Sequence, residues 1–232
     1  IVRERYAREA LVHGFRILGE GQLSLTKFLI LTDTPQNLRD FKSLFEHVLQ
    51  RVRWESDFFI FSNVSMDTLD YTSGTINRGS KALLLGLGDA VRELPGEFRG
   101  ELPADVKRAE VFCRGCLVVE GTPYARDPQQ AARLARQECF RDWQVIVLHD
   151  DANVARSTSD FLWATWTRFD PASDVYAADV RVAHHHLAYH APIVIDARMK
   201  PHYPRELVVS EDIAARVTQR WREYFPQRQA WE

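Results

Sequence analysis

Cysteine is scarce in this 232-residue sequence, which contains only Cys113, Cys116 and Cys139. Because the count is odd and a chain of this length can be held together by packing, the pattern argues against a disulfide framework and favours a reducing compartment. A methionine start is missing as well, since the sequence begins at Ile1. Helical spacing begins within the first few residues, so we expect further polypeptide before it.

Long apolar runs and an excess of one charge are also missing. The longest apolar run, around residues 58–61, is far shorter than the roughly 20 residues needed to cross a bilayer, and no secretory leader opens the chain. Lys and Arg number 30 against 32 Asp and Glu, and they are scattered, so no basic patch for a phosphate backbone is evident. We therefore expect a cytoplasmic protein with no integral membrane contact and no nucleic-acid partner.

The chain contains an internal repeat. A shift of 117 positions (150 − 33) lays residues 28–61 over residues 145–178 without a gap, and Asp33 then falls on Asp150 and Arg51 on Arg168. Each copy begins and ends with a short apolar run typical of a buried strand, and a helical segment lies between the two runs. Strand, helix and strand in this order predict a parallel, right-handed βαβ unit in each copy.

The helical segment of the first copy has a start signal and an apolar stripe. Thr34 offers an N-cap hydroxyl and Pro35 is tolerated at a first helical position, so the pattern predicts a helix that starts there. In the second copy a helix is predicted over residues 155–169, ended by Pro171. The stripe of the first helix follows spacings of three and four residues and consists of Leu38, Phe41, Phe45, Val48 and Val52.

Further elements surround the two copies. Residues 95–103 contain Pro95, Gly96 and Pro103 and are the predicted linker. Beyond it we expect a strand over 110–119, a helix over 127–139, and a closing helix opened by Ser210 and stopped by Pro226. The apolar face of this closing helix would consist of Ile213, Val217, Trp221 and Tyr224.

These elements predict an α/β fold with three αβα layers, a mostly parallel sheet and two related βαβ-containing units in tandem. We assign residues 1–95 to the first unit and residues 96–232 to the second unit, which includes the closing helix.

Acidic residues follow the first strand of each copy, where ligands gather in wound α/β sheets. The segments are Asp33-Thr34-Pro35 and Asp150-Asp151-Ala152. A dinucleotide or P-loop site needs glycines there and would be repelled by carboxylates, so both are excluded. Two interpretations stay open: a Mg²⁺ site for phosphotransfer that uses Asp33 or Asp150-Asp151, and helix capping with ion pairs to Arg39 or Arg156.

Two other motifs consist of residue types that commonly bind metal ions. Cys113-Arg114-Gly115-Cys116 has the spacing of a redox pair or half a zinc site, but no second pair exists and a strand-like run follows, which favours buried structural cysteines. His184-His185-His186, with His190 nearby, has no acidic or cysteine ligand at a suitable spacing, which favours hydrogen-bonded histidines. We predict no metal-ligating residue in this chain.

The segment Gly21-Gln22-Leu23-Ser24-Leu25-Thr26-Lys27-Phe28-Leu29-Ile30-Leu31-Thr32-Asp33 resembles the signature that opens the C-terminal domain of UbiD-type (3-octaprenyl-4-hydroxybenzoate) carboxy-lyases. Leu69-Asp70-Tyr71 and Gly79-Ser80-Lys81 resemble later segments of that domain. Seen alone, Gly79-Ser80-Lys81 has two interpretations, a flexible turn that holds an anion with Lys81 as its cation and a plain surface turn, and the surface turn is favoured. The second copy is similar at complementary points, in residues 167–174 and in Ile195-Asp196-Ala197 with Lys200. The resemblance is close over residues 1–95, looser over 140–205, and similar to long, tandem members of the family.

The resemblance implies a non-oxidative decarboxylation of an aromatic or unsaturated acid, with prenylated FMN and a divalent metal ion in the full-length enzyme. It assigns the chemistry to an Arg and two Glu on a preceding flavin-binding domain, which no segment here matches. No catalytic residue and no bound cofactor are therefore expected in this chain. It would contribute homo-oligomer contacts and a wall of the cofactor cleft. The resemblance suggests ubiquinone or menaquinone biosynthesis as the pathway of the full-length enzyme.

Lys27 and Lys81 are the candidates for facing the cofactor, because cations beside a phosphate or carboxylate are electrostatically favourable. Solvated surface lysines are the alternative interpretation. For the chain as a whole, a Mg²⁺-dependent phosphotransfer or phosphatase-like domain and a ligand-free dimerisation module are the other two hypotheses.

Overall fold

The structure, a computed structural model, describes residues 1–205 and 209–225. Its helices are α1 (Glu9–Gly19), α2 (Phe41–Arg51), α3 (Trp54–Asp57), α4 (Gln130–Leu134), α5 (Thr158–Trp166), α6 (Pro171–Asp174), α7 (Glu211–Gln219) and α8 (Trp221–Tyr224). Its strands are β1 (Phe28–Thr32), β2 (Phe58–Ser65), β3 (Arg78–Gly86), β4 (Arg108–Cys113), β5 (Cys116–Glu120), β6 (Val145–His149), β7 (Val175–Ala183) and β8 (His186–Asp196). Among the described residues, none of these helices has the length and apolar character needed to span a bilayer.

The strands form two mixed sheets, which confirms the α/β class. The first sheet has the order β1-β3-β2 and the second has the order β4-β5-β6-β8-β7. β1 runs parallel to β3, and β6 runs parallel to β5 and β8, whereas β2, β4 and β7 are antiparallel to their neighbours. The predictions of parallel βαβ units and of a mostly parallel sheet are therefore wrong. In both copies the second apolar run is the first strand of an antiparallel hairpin, β2–β3 or β7–β8. The second strand of that hairpin, β3 or β8, lies between the other two strands of its copy.

The strand pairing confirms the duplication. Phe28 pairs with Ala82 and Phe58 with Leu84 in the first copy. The second copy has the same two-residue stagger, since Val145 pairs with Ile193 and Val175 with Ile195. The first and second strands are related by 117 positions and the third strands by 111 (193 − 82), so the second hairpin is six residues shorter (117 − 111).

The shorter hairpin has a consequence for the sequence alignment of the copies. Leu69 and Tyr71 lie in the connection between β2 and β3, whereas Leu187 and Tyr189 lie within β8. A shift of 118 positions (187 − 69) would align these two pairs in sequence. The two pairs lie in different elements, so this sequence alignment is wrong.

Alternating residues of the strands face different layers. Leu83 and Leu85 of β3 pack with Ala10 of α1, and Leu84 faces a core that also contains Val147 of the second sheet. Helices α2 and α5 contribute to this same core, and α4 covers the far face of the second sheet. The layers therefore run α1, first sheet, shared helical core, second sheet and α4, instead of the predicted three αβα layers.

The two copies pack on each other reciprocally. α3 of the first copy packs on β8 of the second, and α6, which lies 117 positions after α3, packs on β3 of the first copy. The Trp54 indole N–H donates to Gln144 Oε1 at 3.0 Å, and the Ser80 hydroxyl donates to Asp170 Oδ1 at 2.6 Å. Equivalent elements contact each other in both directions, as in a two-fold symmetric dimer.

Helix α2 begins later than predicted. Asp40 is its N-cap and accepts a hydrogen bond from the Ser43 backbone N–H at 3.2 Å. Thr34, the predicted cap, instead lies 3.2 Å from His47 Nε2, and Leu38 of the predicted stripe is 80% exposed. The apolar spacing identified the helix, but the chain has two cap candidates, and the one nearer the buried residues is used.

Other boundaries also differ from the predictions. The segment predicted as one helix over 155–169 is a 3₁₀ helix (Ala152–Arg156) followed by α5, whose cap Ser157 accepts from the Asp160 N–H. The predicted strand over 110–119 is the hairpin of β4 and β5, which turns at Gly115 with a φ of 78°. The predicted helix over 127–139 is shortened to α4, and a 3₁₀ helix (Glu138–Phe140) follows. The segment 79–81 lies in β3 and not in a turn.

The ends of the two predicted units can also be located. Residues 87–107 contain no helix or strand and connect the two sheets. Because both sheets contribute to one core, the division between residues 95 and 96 stays a prediction. The predicted closing helix is the pair α7 and α8, and its predicted stop, Pro226, lies outside the described residues.

Candidate functional site

Asp33 and Asp150 lie at the carboxyl ends of β1 and β6, as the sequence predicted. Asp33 Oδ2 accepts a hydrogen bond from the Gly88 backbone N–H at 2.7 Å. Asp150 Oδ2 accepts from the Met199 N–H at 2.7 Å, and Met199 is the equivalent of Gly88 under the 111-position shift (199 − 88). Each carboxylate therefore holds the loop that follows the third strand of its own copy, which is a structural role.

The Mg²⁺ interpretation lacks a set of ligands. In residues 1–205 and 209–225, no three Asp, Glu, His or Cys side chains are grouped so that they could hold a metal ion. Asp151 lies 3.3 Å from the Arg108 guanidinium, and Arg156 lies 3.2 Å from Glu110. These contacts support the ion-pairing interpretation, although the predicted partner of Arg156 was different.

The structure reveals His149, which the sequence reasoning missed. It is 3% exposed, and its Nε2 accepts from Arg168 Nη1 at 3.0 Å while Nδ1 lies 2.9 Å from the Asp151 carbonyl oxygen. Burial lowers the pKa of His149, so the imidazole is neutral at pH 7. Its position at the carboxyl end of β6 was the available signal. His149 also lines a cavity of about 400 Å³ with Asp150 and the exposed Trp163.

Lys27 is engaged at the contact between the two copies. Its ammonium lies 2.9 Å from Asp70 Oδ2 and 5.6 Å from the centre of the Phe169 ring. Burial alone would raise the pKa of Asp70, but Lys27 and Thr72 outweigh it and hold that pKa below its usual value. Lys27 thus has a carboxylate partner within the chain, and both side chains are mostly buried.

The segments that resemble the carboxy-lyase signature meet at this contact. Tyr71 and Tyr203 pack edge to face with their ring centres 5.0 Å apart. The Thr72 carbonyl oxygen lies 3.2 Å from His202 Nε2, and the Ser80 hydroxyl bonds Asp170 as described above. Segments that are separated by about a hundred residues therefore form one interface, which we call the inter-copy site (Lys27, Asp70–Thr72, Ser80, Phe169–Asp170 and His202–Tyr203).

A buried charge cluster lies beside the inter-copy site. Arg198 and Asp196 are fully buried and form an ion pair at 2.6 Å, and Lys200 lies 3.2 Å from Asp174. Burial raises the pKa of Asp174 to about 6, although Lys200 acts in the opposite direction. Burial also raises the pKa of Tyr203, whose hydroxyl donates to the Arg168 carbonyl oxygen at 3.0 Å. The charged groups of this cluster are therefore paired with one another inside the protein.

Lys81 lies apart from the inter-copy site. It is 4% exposed, and its ammonium donates to the carbonyl oxygens of Leu18, at 3.3 Å, and of Ser24. It lines a cavity of about 440 Å³ whose lining residues do not include Lys27. Burial lowers the pKa of Lys81.

The two lysines therefore do not fit a shared phosphate site for a flavin cofactor. The charge of Lys27 is balanced by its ion pair with Asp70. The Lys81 ammonium contacts the end of α1 and not the inter-copy site. The idea that either one faces a cofactor stays a prediction. Neither is a solvated surface lysine, since both side chains are mostly buried.

The cysteines and histidines take structural positions. Cys113 and Cys116 face each other across the β4–β5 hairpin, both buried, and burial raises the pKa of Cys116. His184 and His185 form the tight turn between β7 and β8, with φ values of 49° and 63°. His186 instead packs on the ring of Phe59 with the ring centres 4.8 Å apart.

Comparison with known proteins shows similarity to UbiD-type carboxy-lyases. Residues 1–86 match the model described as "3-octaprenyl-4-hydroxybenzoate carboxy-lyase C-terminal domain". Over its whole length the chain is 41% identical to a Chlamydia pneumoniae protein that is named as a subunit of 4-hydroxybenzoate decarboxylase, covering 39% of that protein. It is also 44% identical, over 97% of its length and 39% of the relative, to an uncharacterized protein of Chlamydia caviae. The chain thus spans about two fifths of the length of these relatives. Residues 1–86 thus correspond to the C-terminal domain of UbiD-type carboxy-lyases, and over its whole length the chain is similar to a relative that is named as a decarboxylase subunit.

Proposed function

We propose that this chain is the C-terminal, non-catalytic part of a non-oxidative decarboxylase that acts on an aromatic or unsaturated acid. The observation that carries the proposal is the 41% identity along the whole chain with the relative named as a 4-hydroxybenzoate decarboxylase subunit. That name describes the relative, and the same class of acid is our proposal for the longer protein to which this chain would belong.

The arrangement of charges supports a non-catalytic role. In the buried charge cluster the ion pairs Arg198–Asp196 and Lys200–Asp174 satisfy one another inside the protein. The carboxylates of Asp33 and Asp150 accept hydrogen bonds from backbone N–H groups. The Arg and two Glu that the family resemblance assigns to the chemistry would come from a flavin-binding domain, which is the first proposed partner of this chain.

Prenylated FMN with a divalent metal ion is the proposed cofactor of the complete enzyme. When bound, it would supply the conjugated ring system that stabilises the electrons released as the carboxylate leaves. Lys27 and Lys81 do not form a shared phosphate site, so a contact of either lysine with the cofactor stays a separate prediction and carries no part of this proposal. The chain would instead form a wall of the cleft.

Contacts with other subunits are the second proposed contribution. Ile213 and Val217 of α7 are 50% and 41% exposed, and Tyr224 of α8 is 49% exposed. Such an apolar stripe on short helices is typical of a surface that is covered in an assembly. We propose a homo-oligomer, a cytoplasmic location and a role in ubiquinone or menaquinone biosynthesis as the finer parts of this function.

A comparison of two purified proteins tests the proposal. The complete polypeptide, reconstituted with prenylated FMN and Mn²⁺, should release CO₂ from 4-hydroxybenzoate or a related aromatic acid, and the 232-residue chain alone should not. CO₂ release by the 232-residue chain would contradict the non-catalytic role. A complete polypeptide that decarboxylates no aromatic or unsaturated acid in a broad panel would contradict the proposed activity.

A further inference from the structure

Lys81 is a buried cation that has no acidic partner in the part of the chain that the structure describes. Lys27 and Lys200 are also buried, and each lies within 3.2 Å of a carboxylate oxygen. The Lys81 ammonium instead contacts two backbone carbonyl oxygens, those of Leu18 and Ser24. All three lysines are buried, and Lys81 differs from the other two because it has no counter-charge among the described residues.

A buried ammonium without a counter-charge is costly, and folds normally avoid it. The carbonyl oxygen of Leu18 belongs to the last turn of α1, where a cation is favourable, and this contact compensates part of the cost. An ammonium group has three N–H donors, and the two carbonyl oxygens account for two of them. One donor and one positive charge remain for a further acceptor.

The cavity beside Lys81 has walls that suit an apolar body. It measures about 440 Å³ and is lined by Phe15, Leu18, Phe61 and Val64, with the polar residues Ser24 and Ser65. Phe15 and Phe61 lie edge to face, with ring centres 6.0 Å apart. Apolar walls with few, well-placed polar groups are typical of small-molecule sites.

We propose that this cavity binds a compact acid that carries a single carboxylate on an apolar body. The carboxylate accepts a hydrogen bond from the Lys81 ammonium, and the body lies against Phe15 and Phe61. One lysine balances the charge of one carboxylate, whereas a phosphate dianion would need more donors than the cavity offers. The inference deepens the proposed function and rests on it, because the acid of a decarboxylase has this same chemistry.

Isothermal titration of the 232-residue chain tests the site with benzoate and hexanoate as aromatic and aliphatic probes and benzamide as a neutral one. Lys81→Met removes the charge and keeps the length of the side chain. Lys107→Met is the matched control, because Lys107 pairs with Glu120 on the surface and its side chain is 64% exposed. We expect at least one acid to bind the unaltered chain and the control equally, and to bind Lys81→Met about tenfold or more weakly. Benzamide should bind all three proteins equally weakly.

Ser65→Trp provides a second variant that keeps Lys81. Ser65 is an exposed residue of the cavity wall, so an indole there would occupy the space beside Lys81 without disturbing the core. It should abolish acid binding and leave the unfolding temperature unchanged, and it decides the question if Lys81→Met does not fold. The inference is overturned if neither acid binds the unaltered chain, or if the acids bind equally well to the folded variants. Since no cofactor or turnover is involved, failure here is separate from failure of the decarboxylase assay.

Discussion

Asp174 illustrates how the burial of a single residue makes the stability of the fold depend on pH. Asp174 is 4% exposed, and its carboxyl group accepts from the Asp170 backbone N–H at 2.8 Å and lies 3.2 Å from the Lys200 ammonium. Burial raises the pKa of Asp174 from 3.8 to about 6, despite the opposing effect of Lys200. The folded state therefore holds the proton of Asp174 more tightly than the unfolded state does.

This shift predicts how the free energy of unfolding depends on pH. A raised carboxyl pKa contributes stability below pH 4, and that contribution is lost as the pH rises through about 6. Between pH 4 and 7 the unaltered chain should lose up to about 3 kcal/mol relative to Asp174→Asn, which cannot titrate. Urea unfolding of both proteins at pH 4, 5, 6 and 7 measures the difference. A difference that is constant with pH, or that grows in favour of the unaltered chain, would contradict the expected direction.

Helix α2 shows at the scale of an element how a local start signal is chosen. Asp40→Ala should lower the free energy of unfolding by about 1 kcal/mol, because its side chain caps the Ser43 N–H. Thr34→Ala is the matched comparison, since Thr34 is the cap that the sequence favoured and its exposed hydroxyl contacts only the side chains of Gln36 and His47 among the described residues, and no backbone N–H of α2. It should cost less than about 0.5 kcal/mol. Urea unfolding separates the two, and a larger cost for Thr34→Ala would mean that the helix starts where the sequence predicted.

The packing of α2 against β3 depends on a glycine. A Cβ at Gly86 would lie 2.9 Å from Val48 Cα, a backbone atom that cannot move aside alone. Gly86→Ala should therefore destabilise the chain by about 1–3 kcal/mol. Gly19→Ala, where a Cβ would meet no atom within 4 Å, is the control and should be neutral or slightly stabilising. Thermal unfolding of both variants measures this, and equal midpoints would contradict the close approach.

At the scale of the whole molecule, the two copies behave as one folded body because they share a core and exchange equivalent contacts. Trp54 of the first copy packs there and donates its indole N–H to Gln144 of the second. We expect Trp54→Ala to lower the stability of both sheets together by about 3–5 kcal/mol, with a single unfolding transition.

Hydrogen exchange, read separately for amides of β3 and β6, tests this coupling. Loss of protection in the first sheet with full protection in the second would show that the copies unfold independently. Lys107→Ala, on the exposed surface near β4, is the control and should leave protection in both strands unchanged.

The sequence by itself determined the α/β class, the internal duplication and the resemblance to UbiD-type carboxy-lyases, because apolar spacing and short motifs are local properties of the chain. Phe28–Thr32 and Val145–His149 were recognisable as buried strands for this reason. Strand direction was not, since an apolar run has the same pattern whether its strand runs parallel or antiparallel to its neighbour. Only the tertiary structure decided that β3 and β8 insert between the strands of their copies. It also decided that Ser80 meets Asp170, 90 residues away, and that Lys81 is left without a carboxylate among the described residues, because such partners depend on packing between distant segments.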